Sequence, residues 1–491
     1  MKFLKLISIC LCCLLTLPLF SGCDGSNDNL IYLNVISVPE TLDPQLAESD
    51  EELMICRNLF EGLLRKDADG KIVKGVCKSY RKDGLTYTFD LRSDAKWSDG
   101  KKVTANDFVF SFRRAVSPSV KAPFSRRLRS IKNAPAVING SADVSSLGVT
   151  AVSDTCLKIE LSAEDALFEE TLTTPVCMPC NEGFFNECEG KYGRDENSVI
   201  SNGSYYLRRW RTEEFGIRII KNDNYSGDFK AKNGGLVITA NSDTPVNKLF
   251  SKNSIDCAFV DNRDINKVKE TGAKHKSVQN VCWFMTIGST YTSDVRNAFA
   301  LSVSPDVYGP VLPSGFSAAR SIYPDVLKVK GADGVGITAY NIDTARNLFS
   351  NAVKKMEDKI FPGATMIYYA DDCMLPVTKS IVAHFQQNLS AFINISPAKH
   401  PEELKEELKK FSLQFAMFPV KARNCDVSEY LVNFGGYDGV DPATAQQRIL
   451  AGQTVIPICY ENTNLCYAKN LSNISFENID GYIDFSFVVK K

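Results

Sequence analysis

The chain has 491 residues, 44% hydrophobic and 23% charged, and its 57 Lys+Arg against 58 Asp+Glu leave a formal net charge of −1. A length beyond the roughly 250–300 residues that one core supports implies two or three domains. The interspersed charge excludes a nucleic-acid footprint, and beyond the N-terminal segment no apolar run reaches membrane length.

At the N-terminus, Lys2 and Lys5 precede an almost wholly apolar run from Leu6 to Phe20. About fifteen residues suit the apolar region of a signal peptide and fall short of the roughly 20 a spanning helix needs. Phe20-Ser21-Gly22-Cys23 resembles a bacterial lipobox, although Phe20 departs from the usual aliphatic residue. Residues 1–22 are therefore expected to be a lipoprotein signal peptide. Cys23 would carry the lipid, and two or three acyl chains would hold the protein firmly at the periplasmic side of the cell membrane. Cleavage near Gly22 without a lipid is the plainer alternative.

Next comes a strand-type run, Leu30 to Ile36, stopped by Pro39. Apolar residues at helical spacing predict a helix over Glu51–Leu64, and Asp67-Ala68-Asp69-Gly70 is a turn. Alternation marks strands at Tyr87–Arg92 and Cys156–Leu161, with more at Gly216–Ile220 and Gly235–Ala240. Between them a helix over Ala105–Ala115 begins at Thr104, whose hydroxyl is expected to cap it. The basic cluster Arg126, Arg127, Arg129 and Lys132 is expected to be a solvated helix face. Beyond about residue 275 the pattern becomes βα alternation. Helices are predicted over Asn297–Val303, Thr344–Asp358, Pro376–Leu389 and Glu402–Phe411, with strands over Val281–Ile287, Ala364–Tyr369 and Leu413–Phe418.

Cysteine usage narrows the chemistry. Of 16 cysteines, Cys10, Cys12 and Cys13 leave with the leader and Cys23 takes the lipid, so twelve remain in an oxidising compartment. Cys177-x-x-Cys180 with Cys188 is the only close cluster, and prolines 175 and 179 place it in a loop. Structural thiols or a local disulfide are expected there. No metal site is expected, since the 3 histidines, His275, His384 and His400, are all remote in sequence.

A continuous stretch then carries a family resemblance. Asp83-Gly84-Leu85-Thr86-Tyr87-Thr88-Phe89-Asp90-Leu91-Arg92 runs into Ala95-Lys96-Trp97-Ser98-Asp99-Gly100 and on to Val103-Thr104-Ala105-Asn106-Asp107-Phe108-Val109-Phe110-Ser111. It resembles the signature of the extracellular solute-binding proteins of peptide/nickel ABC importers, the oligopeptide-binding type. Lys102 stands where proline is common. Thr41-Leu42-Asp43-Pro44, Asn58 to Leu63, Asn202 to Leu207, Ile255 to Ala258 and Asp294 to Phe299 resemble further blocks of the same family. The signature itself looks structural: Trp97 and Phe108 pack and Ser98-Asp99-Gly100 turns.

The resemblance implies an α/β, two-lobed periplasmic-binding-protein fold with an extra β-rich subdomain inserted in lobe I. Lobe I would comprise residues 23–64, 170–275 and 466–491, the insert 65–169, and lobe II 276–465. It implies a peptide ligand in the cleft, ABC importer permease subunits as partners, a membrane contact by lipid only, and a monomer without nucleic acid or cofactor.

One departure bears on the ligand. Relatives that bind free peptides carry a Trp-x-Ala-Asp-Tyr stretch whose aspartate pairs with the α-ammonium group. The corresponding segment here is Val420-Lys421-Ala422-Arg423-Asn424, with Arg423 in the aspartate's place. Three readings stay open: an alignment slip makes Asp426 the amine partner, Lys421 and Arg423 line an anionic pocket suited to murein-derived or otherwise modified peptides, or both face solvent. Further candidates for ligand contact are Val38, Pro39 and Glu40 on the loop after the first strand, Phe124, and Trp283. Glu40 is a second candidate amine partner. Cys282 and Cys425 are candidates to approach each other near the cleft.

No Gly-x-Ser-x-Gly, P-loop, HExxH or dinucleotide pattern occurs, so an enzyme is not expected. The alternatives are a binding protein for signalling or chaperoning, and a thiol-dependent hydrolase.

Overall fold

The computed structural model describes residues 29–211, 216–240, 244–369, 373–398, 414–423, 426–435, 440–476 and 483–491. The leader with Cys23, the helix expected over Glu402–Phe411, His400 and Cys425 lie outside them.

Strand β1 (Leu30–Val35) leads through a loop into helix α1 (Asp50–Leu59). Here one carboxylate does several jobs. Glu52 accepts the amides of Glu40 (2.9 Å) and Thr41 (3.1 Å) on one oxygen and those of Glu48 (2.9 Å) and Ser49 (3.0 Å) on the other. The Glu52 amide in turn donates to the Ser49 hydroxyl, completing a capping box that fixes where the helix begins. The helix ends at Leu59, short of the predicted Leu64.

The insert starts with the hairpin β2 (Leu64–Lys66) and β3 (Ile72–Lys74), closed by the predicted turn. β4 (Cys77–Asp83), β5 (Thr86–Leu91), β6 (Val149–Ser153) and β7 (Cys156–Glu160) form an antiparallel sheet in the order β4-β5-β7-β6. Helix α2 (Ala105–Val116) lays Phe108 and Phe112 on that sheet, both fully buried. Trp97 is fully buried too, and its indole N–H donates to Asp107 at 3.3 Å. Asp107 also accepts the amide (2.7 Å) and the hydroxyl (3.2 Å) of Thr104. Thr104 is the N-cap of α2, as expected, and forms a reciprocal capping box with Asp107.

Two of the resemblance blocks meet in space. Asn202 accepts the Glu61 amide (3.0 Å) and donates to the Glu61 carbonyl (2.8 Å). The next residue must be small, since a Cβ on Gly203 would lie 2.8 Å from the Leu59 carbonyl oxygen.

The remaining strands are β8 (Tyr205–Arg211), β9 (Gly216–Lys221), β10 (Gly235–Ala240), β11 (Cys257–Val260), β12 (Lys274–Ile287), β13 (Ser317–Ala318), β14 (Ala364–Tyr368), β15 (Ile393–Pro397), β16 (Phe415–Lys421), β17 (Val455–Tyr467), β18 (Leu471–Ser472) and β19 (Val489–Lys490). An 11-stranded mixed sheet runs β15-β14-β16-β12-β17-β11-β1-β10-β9-β8, with β13 on β17. β12 and β17 are its spine. They pair antiparallel from Lys274–Tyr467 to Thr286–Val455, with register shifts at Gln279/Val281 and Trp283/Phe284. At one end β17 pairs with β11 in lobe I, and at the other β12 pairs with β16 in lobe II. The chain thus passes between the lobes on two mutually paired strands.

Period-two alternation on β12 splits the core of lobe II. Trp283, Met285 and Ile287 pack on one face with Phe299, Phe385 and Phe415, while Cys282 and Phe284 pack on the other with Val420, Tyr430 and Ile449. Flanking helices are α3 (Ser293–Leu301), α4 (Ile342–Lys354), α5 (Leu375–Leu389), α6 (Val427–Leu431) and α7 (Pro442–Ala451). Lobe I and the insert share one continuous core that includes Leu33, Ile55, Phe89, Trp97 and Phe485. Among the described residues no helix is long and apolar enough to cross a membrane.

Candidate functional site

Three segments converge where the lobes face each other. Lobe I supplies the N-terminus of α1, the insert supplies residues 123–129, and lobe II supplies the end of β16 with α6. Helical start chemistry puts acids first on α1, where Asp50, Glu51 and Glu52 form the opening turn. Asp50 faces two cations of lobe II. Its carboxylate bonds the Lys421 ammonium, and the Arg423 guanidinium lies 3.2 Å away. Arg423 also donates to the Glu48 carbonyl at 2.7 Å. Burial alone would raise the Asp50 carboxyl, but Lys421 and Arg423 outweigh it and hold the group below its ordinary value. Burial, and then the Asp50 charge, push Glu51 the other way.

The insert makes the second set of bridges. Arg127 stacks on the Phe124 ring, 4.2 Å from its centroid, and grips Glu429 of α6 through two bonds of 2.8 and 2.9 Å. Its side chain is only 4% exposed, so this is a desolvated, two-point pair. Arg129 reaches the Ser428 hydroxyl (2.6 Å) and Asp426 (3.3 Å). Asp426 itself caps α6 by accepting the Ser428 amide at 2.9 Å.

Between these bridges lies a cavity of about 200 Å³, lined by Phe124, Arg126, Arg127, Arg129, Lys421 and Arg423, with Glu429 and Tyr430 beside them. A second positive charge about 4 Å from such a guanidinium meets a repulsion of about 4 kcal/mol at the effective dielectric of a protein surface. The cavity therefore suits an anion.

The structure groups the sequence candidates unevenly. Phe124, Lys421 and Arg423 line the cavity, and Asp426 sits at its edge bound to Arg129. Trp283 is 1% exposed in the core, T-shaped against Tyr369, and its indole N–H donates to Glu461 at 2.7 Å. Val420 is buried against Cys282 and Phe284 on the opposite face of the sheet, because its neighbour Lys421 takes the cleft side. Neither side chain lines the cavity. Val38 and Glu40 are exposed and Pro39 is buried on the loop held by Glu52.

The basic cluster is corrected here. Ser125–Leu128 is a 3₁₀ turn that buries Arg127 against Glu429, where the sequence suggested a solvated helix face. Sequence reasoning also passed over Asp50 and Glu429. Two like-charged clusters with opposite charges far along the chain were the available signal.

Cys177 and Cys180 are buried and unpaired, and burial pushes each up to about 12. No disulfide joins that cluster. Among the described residues no group of His, Cys, Asp and Glu is placed to hold a metal ion.

The sequence description of bacterial extracellular solute-binding proteins, family 5, matches residues 41–441. The chain belongs to this family. The Bacillus subtilis oligopeptide-binding protein OppA is 25% identical over 390 residues, covering 76% of this chain and 71% of that protein. The Escherichia coli periplasmic murein peptide-binding protein MppA is 32% identical over 305 residues, but those cover 59% of this chain and 55% of the relative. Among solved structures, peptide-bound Listeria monocytogenes OppA superposes with a TM-score of 0.77 at 20% identity, over 95% of this chain and 100% of the other. E. coli MppA gives 0.76 at 20% identity over 95% and 99%, and an unliganded open form of MppA gives 0.68 at 20% over 95% and 98%. These likenesses show the two-lobed fold.

Proposed function

We propose that this protein is the substrate-binding component of an ABC importer. It captures oligopeptides outside the cytoplasmic membrane and delivers them to membrane permease subunits. The observation that carries this reading is the geometry of the cleft: two lobes joined by two paired strands, with ion pairs reaching across the gap from both the insert and α1. Closing such a cleft on a ligand expels water and completes the cross-lobe contacts in one motion. Membership of the solute-binding family and relatives named for oligopeptides and murein peptides point the same way. The protein works as a monomer, held at the membrane by a lipid on Cys23, and it leaves its ligand chemically unchanged.

A peptide-library thermal-shift measurement tests the reading. Ligand at about 100-fold over its Kd adds about 2.7 kcal/mol of stability, enough to move the melting midpoint by degrees. If no peptide of any length or charge moves it, peptide capture is wrong.

A further inference from the structure

The cavity between the lobes carries a charge surplus that the cross-lobe bridges do not consume. Five cations line it: Arg126, Arg127, Arg129, Lys421 and Arg423. Among the described residues three carboxylates touch them, Glu429 on Arg127, Asp426 on Arg129, and Asp50 shared by Lys421 and Arg423. Arg126 is exposed at this cavity and its side chain has no partner among the described residues. Arg423 spends only Nη1, on Asp50 and the Glu48 carbonyl, which leaves its Nη2 and Nε hydrogens uncommitted among the described residues. A planar fork of donors with unspent hydrogens is matched by a carboxylate. The aromatic ring of Phe124 carries Arg127 on one face, which adds to the positive charge at this wall.

We infer that this cavity holds an acidic group of the bound peptide, received by Arg126 and Arg423, and that it turns away a free α-ammonium group at that position. The substrate class is therefore peptides with an acidic or amine-blocked end, and this rests on the peptide-capture reading above. At about 200 Å³ the space takes a carboxylate with a short stem and little more.

Isothermal titration calorimetry on the full mature protein, with four tripeptide probes, decides the matter. The probes are Glu-Ala-Ala, its N-acetyl form, Ala-Ala-Ala and Lys-Ala-Ala. N-acetyl-Glu-Ala-Ala is expected to bind at least about tenfold tighter than Lys-Ala-Ala, and the gap should narrow as salt rises from about 50 to about 500 mM. Arg126→Gln should shrink the gap about threefold or more without moving the melting midpoint, because that side chain holds nothing in place. Equal affinities, a preference for the amine-bearing probes, or an Arg126→Gln variant with the wild-type preference would each overturn the assignment while peptide capture stands. Failure of all four probes and of a wider peptide library to bind would bring down the capture reading and this inference with it.

Discussion

Arg127 of the inserted subdomain and Glu429 of lobe II form a two-point ion pair across the cleft, at 2.8 and 2.9 Å, although 302 residues separate them in sequence. Such a pair constrains both distance and orientation, so it ties the insert to lobe II.

Removing one partner from this pair should open the unliganded protein. Glu429→Gln keeps the shape of the side chain but leaves Arg127 desolvated without its counter-charge, a loss of about 1–3 kcal/mol from the closed state. Small-angle scattering is expected to show a larger radius of gyration for the variant without ligand. An unchanged radius would mean that the pair does not hold the lobes together.

Acid should release the second bridge. Asp50 sits below its ordinary value of 3.8 in the folded protein. Its contribution is therefore complete above that value and is lost as pH falls through the depressed one. Glu51, raised above 4.5, has the opposite sign: its protonated form persists into milder pH and favours the folded state there. Scattering in acid should show wild type opening below 3.8, while Asp50→Asn is already open and loses that step. Glu51→Gln should retain it.

The family signature should prove structural. Trp97 is fully buried and fastens Asp107 at the start of α2. Trp97→Ala is expected to lower stability by about 3–5 kcal/mol in chemical denaturation. Ligand affinity below the melting temperature should stay within about twofold of wild type, since the ring is not among the residues that line the cavity. A large affinity loss at full folding would place the signature in the site.

Thiol labelling should follow burial. Cys56, Cys177, Cys180, Cys257, Cys282 and Cys459 are buried, and burial raises all six thiols. Native alkylation read by mass spectrometry should mark the half-buried Cys156 and Cys188 first. Rapid labelling of Cys177 or Cys180 would contradict the buried loop.

Much of the fold was legible because local signals sufficed. Turn, alternation and cap around Asp83–Ser111 all agree with one another, and strands such as Cys156–Glu160 and Ala364–Tyr368 fall within a residue of expectation. The spine was not legible. β12 begins at Lys274, seven residues before the predicted strand, because its lobe I end reads Lys-His-Lys-Ser and lacks apolar alternation. β17 drew no prediction, since Glu461-Asn462-Thr463-Asn464 interrupts it with polar residues. Those residues are polar because the strand leaves one core and has not yet entered the next. The cavity was half legible: Arg423 stood out against the family pattern, but Arg127 and Asp50 look like ordinary surface charges until the lobes are brought together.

The pairing of β12 with β17 along nearly their whole length has a mechanical consequence. Two separate tethers would let one lobe swivel and slide over the other, whereas a bonded ribbon folds readily about its breadth and resists torsion. The irregular step at Gln279/Val281, opposite Asn462 and Glu461 in the polar stretch between the cores, places the crease. Opening is then motion along a single coordinate, like a book on its spine, and each return brings Arg127 back to the same carboxylate.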